Sequence, residues 1–530
     1  MRKICLALAI AFPLLSAAQE EHDHGAPEKL GNASFPISCN PDSQPEFNRG
    51  VALLHSFAYA DAQKSFQAVA ARDPRCAMAH WGIAMTGFHP LWEPALPPAT
   101  IALAQNEVEQ AQAMGAPTKL ERAFIAALAL VYQNASTVPY RTRVSNYEQA
   151  MSHLTAENPQ NVEAQVFYAL ALLANASPFD KMHVKQKQAV DLLEPLYRRF
   201  PQHPGIPHYL IHACDNAELA PRGLAAARAY SKIAPSAPHA LHMPSHIFTR
   251  LGLWDDSIAS NLAAKNAARQ QGDTGEELHA MDYLVYAYLQ SGRDAEAAGV
   301  VQQLANMPQS SNRDFKSAYA ATAMPVRYAV ERQAWKDAAN TIAPPDTAPG
   351  QASAIAVWAR GLGLARSGSA PLAPAEAERL RRIGAQLHAA GQDYWASQVD
   401  ILRDEVLAWT AEANEKPEKA VALMRTAADA EDSIEKLPVT PGPIVPAREQ
   451  LGDLLLDQNH PELALKEFRA ALLAAPGRRG AVRGIEKATR QKSPGHFVRG
   501  FFDSSFAYAL KSRMPAAFSS VPLSSALTGR

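Results

Sequence analysis

Apolar residues recur at helical spacing along almost the whole chain, and the alternating runs that would predict strands are scarce. The pattern predicts an all-α protein of short antiparallel helix pairs. One spelling returns with a 34-residue period: a small residue near position 8, Ala at 20, an apolar residue at 24, Ala at 27 and Pro at 32. Leu451, Gly452, Ala464, Phe468, Ala471 and Pro476 fill positions 7, 8, 20, 24, 27 and 32 of the clearest copy. Gly50, Ala62, Phe66 and Pro74 belong to another, and Ala189, Leu193, Leu196 and Pro201 to a third. Looser copies surround Gly252 with Trp254, Gly292 with Ala297, and Ala420 with Met424 and Ala427. The small residues let two helices approach closely, the bulky ones fill the gaps, and Pro ends the second helix.

This spelling resembles the tetratricopeptide repeat (TPR) family, which implies a TPR-type α-solenoid. Two arrays are expected, 43–340 and 353–490, joined by a linker at 341–352 where Pro344, Pro345, Pro349 and Gly350 interrupt any helical period. A shorter irregular stretch runs from Pro438 to Pro446. Residues 491–530 match no repeat and read as a poorly ordered tail. The blocks Asp73–Met85 and His239–Trp254 are also similar to those of exported bacterial TPR proteins of unassigned function, a resemblance that supplies no reaction.

The first 18 residues have the form of a signal peptide, with Arg2 and Lys3, an apolar run from Ile4 to Leu15, and Ser16-Ala17-Ala18 as a cleavage signal. Residues 19–42 then form an N-terminal lead, and the mature protein is expected to be periplasmic or secreted. No later run is apolar enough to suggest an integral membrane segment. The chain carries 51 basic and 52 acidic residues with no basic stripe, which excludes nucleic acid as a partner. In an oxidising compartment Cys39 and Cys76 are expected to pair, tying the lead to the first repeat, while Cys214 stays unpaired.

Six of the 17 histidines fall between 208 and 279. His208 and His212 take positions 5 and 9 of one unit; His239, His242, His246 and Arg250 take 2, 5, 9 and 13 of the next; His279, Asp282 and Tyr286 take 2, 5 and 9 of the third. Resemblance to the TPR family implies that these positions line the concave groove, so three successive first helices would send imidazoles and a carboxylate to one place. Neutral imidazole favours borderline transition metals such as Zn or Cu. The expected ligands are His208, His212, His242 and His246 as an inner set, with His239, His279 and Asp282 completing or surrounding it, and Arg250 and Tyr286 lining the groove.

Two functions follow from that face. One is metal binding, with metal-assisted chemistry left open and Asp215, Asp282 or Tyr286 available to handle protons. The other is a metal-free scaffold whose groove takes a peptide, protein or small-molecule ligand. His80, His89 and the acidic, His-containing stretch Glu20–His24 are secondary candidates. No His-Glu-x-x-His motif, nucleophile elbow or phosphate-binding Gly loop is present, so no reaction is assigned.

Overall fold

The computed structural model describes residues 28–91, 97–308, 314–342, 344 and 348–492. Helices succeed one another with no strand among the described residues, and neighbours in sequence pack as antiparallel pairs. The fold is an all-α solenoid of the TPR type. The stretch expected as a signal peptide and the expected tail beyond 492 lie outside the described residues.

The repeat spelling is visible as packing. A methyl carbon on Gly50 would sit 2.7 Å from the Phe66 ring, and one on Gly82, in the next unit, would meet the other side of that ring. Phe468 is held in the same way between Gly452, at 2.6 Å, and Gly484. A ring buried between two Cβ-less helices lets three helices share one contact. Adding even a methyl forces the ring out of a packed core.

Helix starts are written locally. Thr118 and Glu121 form a reciprocal capping box at Lys119–Tyr132. Asn161, Asp273 and Asp314 cap the helices Val162–Ala174, Thr274–Gln290 and Phe315–Val330 with side-chain oxygens on free backbone N–H groups.

Three buried clusters make the core, one running from Leu30 to Phe248, a second from Ile258 to Met324, and a third from Tyr319 to Ala488. The stretch expected as a linker does not separate the last two. Helix Gly350–Arg366 begins inside it and packs on Phe315–Val330, so the helical stack continues across residues 341–352. Gly363 lies against the backbone of Ala338 and Ala339, an approach open only to a residue without a side chain. No helix among the described residues is long and apolar enough to cross a membrane.

The array curves back on itself. Trp254 Nε1 donates to Gly477 O at 3.3 Å, and the Arg479 backbone N–H donates to Gln290 Oε1 at 2.9 Å, so the last helices close against the middle of the chain. Cys39 and Cys76 are joined by a disulfide, and Cys214 is a buried free thiol packed against Gly223.

Two carboxyls in the C-terminal part, the buried Glu405 and the half-buried Glu431, make stability depend on pH. Trp358 Nε1 donates to Glu405 Oε2 at 2.6 Å, and burial, with the Glu431 charge adding to it, pushes the Glu405 carboxyl well above the usual range. Burial likewise pushes Glu431 up to about 7. A raised carboxyl favours the folded state while protonated, so this stabilisation is complete below the ordinary carboxyl range and lost as pH rises through the raised values. Glu405→Gln keeps an acceptor for Trp358 without the charge. It is expected to add about 1–2 kcal/mol at alkaline pH, and little at acid pH, in urea unfolding followed by circular dichroism.

Candidate metal centre

Three neighbouring segments carry the six histidines. Helix Gly205–Cys214 places His208 and His212 one turn apart on one face. The next unit is split, because Pro244 has no N–H to offer Ala240, and the helix is read as Pro238–His242 followed by Pro244–Arg250. Met243 keeps helical dihedrals (φ −52°, ψ −37°), and the His246 N–H donates to Met243 O at 3.1 Å, so the direction survives the break. His239, His242 and His246 therefore stay on a common side. His279 comes from Thr274–Gln290, whose side chains are buried from Glu276 to Gln290.

The six rings sort into two sets of three. His208, His212 and His239 form the first, and His242, His246 and His279 the second; in each, one nitrogen from every ring lies within 4.8 Å of the others. His208 Nε2 is 3.1 Å from His212 Nε2 and 3.2 Å from His239 Nε2. His242 Nε2 is 3.0 Å from His246 Nε2, and the His279 ring centre is 4.3 Å from that of His242. The sets adjoin, with ring centres 5.9 Å apart for His212 and His246 and 6.0 Å for His239 and His242. The four residues expected as the inner set are thus divided between two clusters, and His239 and His279 complete them as equals.

The opposite edges of the rings fix the tautomers. His208 Nδ1 is 2.6 Å from the carbonyl oxygen of His55, an atom that only accepts, so it carries the proton. His239 Nδ1 faces Glu276 Oε2 at 3.2 Å and His246 Nδ1 faces Asp215 Oδ2 at 2.9 Å, with the same consequence. Asn261 gives its Nδ2 to Ser257 O at 2.8 Å and turns Oδ1 to His242 Nδ1 at 2.7 Å. In each of these four rings Nδ1 is committed to that partner and Nε2 is turned toward another histidine of its set. Between His242 and His246, both held neutral by burial, lone pair meets lone pair at 3.0 Å, and His208 and His239 bring their Nε2 atoms to 3.2 Å. A tetrahedral ion with Zn–N bonds of 2.0 to 2.1 Å places two ligand nitrogens about 3.3–3.4 Å apart, near the spacing found here.

Burial sets the electrostatics. Desolvation, followed by the neighbouring imidazoles, holds His208, His212, His242 and His279 well below the usual histidine range. For His246 burial outweighs Asp215 and the value falls to about 4. Burial alone would raise Asp215, but Lys436, Arg250 and His246 overcome it and hold this carboxyl well below its ordinary range.

Asp215 also joins the cluster to a distant part of the chain. Its oxygens meet Lys436 Nζ at 2.5 Å and Arg250 Nε at 2.9 Å, and Arg250 meets Glu435 at 2.9 Å. Tyr283 OH donates between the carbonyls of Pro438 and Thr440, each at 3.2 Å; Arg327 donates to Pro443 O at 3.4 Å and Arg478 to Ile444 O at 3.3 Å. The irregular stretch at 433–446 therefore lies across the helices that present the histidines. The expected open groove is filled by the protein's own chain, and of the residues expected on its wall Tyr286 is buried and Arg250 half-buried against this cover. Tyr286 packs under the Arg327 and Arg478 guanidinium groups, 5.0 and 5.9 Å from its ring centre.

Asp282 joins neither set. Arg327 on the adjoining helix Phe315–Val330 takes its Oδ1 at 3.4 Å, and both side chains are fully buried. A carboxylate beside a buried guanidinium is drawn to that charge, not to the histidines one turn away. Of the secondary candidates, His80 pairs with Glu107 at 2.6 Å, and His89 stacks on Tyr59 with ring centres 4.1 Å apart. The Glu20–His24 stretch lies outside the described residues.

A third group had no signal in the spacing of the sequence. Glu163 lies between His55 and His203, 2.8 and 3.1 Å away, and His203 Nδ1 accepts from the Gly205 N–H at 3.2 Å. That bond commits the His203 Nε2 proton to Glu163, so this trio is internally satisfied. Its contribution to the histidine cluster is indirect: it fixes His55, whose carbonyl orients His208. Glu276 and Asn261, which set two of the other tautomers, were equally hidden, since each partner lies in a different helix.

No family model and no curated protein matches this chain. Among solved structures it is similar to the P58(IPK) TPR domain, at 14% identity with 86% of this chain and 100% of that one covered and a TM-score of 0.23. It is also similar to the human IFIT1 dimer with m7Gppp-AAAA (12% identity, 75% and 89% covered, TM-score 0.27). A third is the APC/C hetero-tetramer Cut9-Hcn1 (11%, 84% and 90%, TM-score 0.28).

Proposed function

We propose that this protein binds transition-metal ions, Zn or Cu, in the two three-histidine sets of its buried cluster. The observation that carries this reading is the approach of Nε2 to Nε2 at 3.0–3.2 Å within each set, with the far ring nitrogens committed elsewhere and lone pair facing lone pair between His242 and His246. A shared cation converts that repulsion into bonding. A carboxylate or carbonyl on the far nitrogen is also the arrangement that orients metal-binding histidines and raises their basicity. Three imidazoles leave a coordination position free, as catalytic zinc sites do. Export accords with a Cys39–Cys76 disulfide, which persists in oxidising compartments.

The competing reading, a scaffold for an external peptide, draws support from the helical-repeat architecture. It requires the 433–446 cover to leave the surface it occupies. Elemental analysis of protein purified without a histidine tag, before and after reloading with Zn or Cu, decides between the two. We expect close to one ion per three-histidine set, about two per chain, given the ligand number each ion needs. Failure to retain either metal after reloading and removal of the excess would overturn the metal reading.

A further inference from the structure

The six histidines are not equally enclosed. His208, His239, His242, His246 and His279 are at most 2% exposed, whereas His212 reaches 9%. The exposed edge of His212 faces a cavity of about 460 Å³, inside the range of about 300–1,000 Å³ that organic ligands occupy. Among the described residues, none of His242, His246 and His279 lines this cavity. Tyr283 lies over that second set, its ring centre 4.7 Å from that of His242, with its hydroxyl tied to the cover.

The cavity forms where residues 390–395 and 435–438 meet the N-terminal helices. Tyr140, Val144, Leu173, Trp395 and Leu437 give it apolar walls, while His212, Asp215 and Lys436 lie at one end. The three carboxylates of its lining are already engaged: Asp215 by Lys436, Arg250 and His246, Glu435 by Arg250, Lys181 and His183, and Asp393 by His388. With an ion held by the first set, the polar end of the cavity is cationic. An anionic head on an apolar body matches that division, and a cationic ligand does not.

We infer that this cavity is the ligand site of the first metal ion, and that it takes a small organic acid with its carboxylate toward His212 and Lys436 and its apolar body against Trp395 and Leu437. This rests on the metal reading above.

The test uses the full chain loaded with Co(II), whose visible absorption reports its coordination, with benzoate as the organic acid and azide as an anion too small to need the walls. We expect both to shift the spectrum saturably. Leu437→Trp, which fills the cavity, is expected to weaken benzoate at least about tenfold and to leave azide and cobalt stoichiometry unchanged. Leu173→Trp fills it from the opposite wall and repeats the measurement should the first variant disturb the cover. A cobalt spectrum that benzoate does not move, or benzoate affinity untouched in both variants, would overturn the cavity assignment while leaving the metal centre standing. Absence of cobalt uptake by the unaltered protein would overturn both.

Discussion

Asp215→Ala is expected to lower the stability of the folded chain by about 3–5 kcal/mol, the cost of removing one partner from a buried ion pair. The buried Asp215 answers two largely enclosed cations, Lys436 and Arg250, and holds the Nδ1 proton of His246. Desolvation already lowers Lys436 to about 8, against the attraction of Asp215. Without that carboxylate, Lys436 is expected to lose its proton or leave the interior, loosening the 433–446 cover. Urea unfolding measures the stability loss, and limited proteolysis near 433–446 reads the loosened cover. Asp215→Asn, which retains an acceptor for His246, is expected to be destabilised similarly but to keep more of its metal. Equal stability in the alanine variant would mean that the Asp215–Lys436–Arg250 contact contributes nothing to closure.

His208→Ala should empty the first set and spare the second. It removes the nitrogen that both His212 and His239 face, while His242, His246 and His279 keep every contact described for them. Metal content is expected to fall by about half, since three imidazoles are the minimum set for such an ion. His242→Ala is the mirror experiment: it should take the ion from the second set and leave the first. The double variant should bind none while its far-ultraviolet circular dichroism stays helical. If either single variant loses all metal, the six rings act as one site. In metal-free His242→Ala the lone-pair repulsion with His246 is relieved, so its loss of apo-state stability is expected to be smaller than for an ordinary buried truncation.

The fold was legible in the sequence because repeat packing is local: Gly452 and Phe468 announce a helix pair whose contact is made within one unit. The phase of the histidines was legible for the same reason, since i to i+4 spacing fixes a common face. Their partition was not. His239 turns to His208 and His242 to His246 because Glu276, Asn261 and the His55 carbonyl hold the opposite ring edges, and those partners lie far away in sequence. Asp282 looked like a ligand on spacing alone, and Arg327 on a neighbouring helix claimed it. The cover was visible only as an irregular stretch, because nothing in Pro438–Pro446 tells which surface its carbonyls will meet. Buried backbone needs partners, and Tyr283, Arg327 and Arg478 supply them.

The position of that cover late in the chain also orders biogenesis. A polypeptide made from its N-terminus has all six imidazoles in hand about 150 residues before Lys436 and its neighbours emerge. On the metal reading, folding that follows this order would leave the histidines uncovered for a time, so that ions could enter before the 433–446 segment closes over them. Metal supplied during synthesis would then occupy sites that metal added to the finished protein reaches only through transient opening.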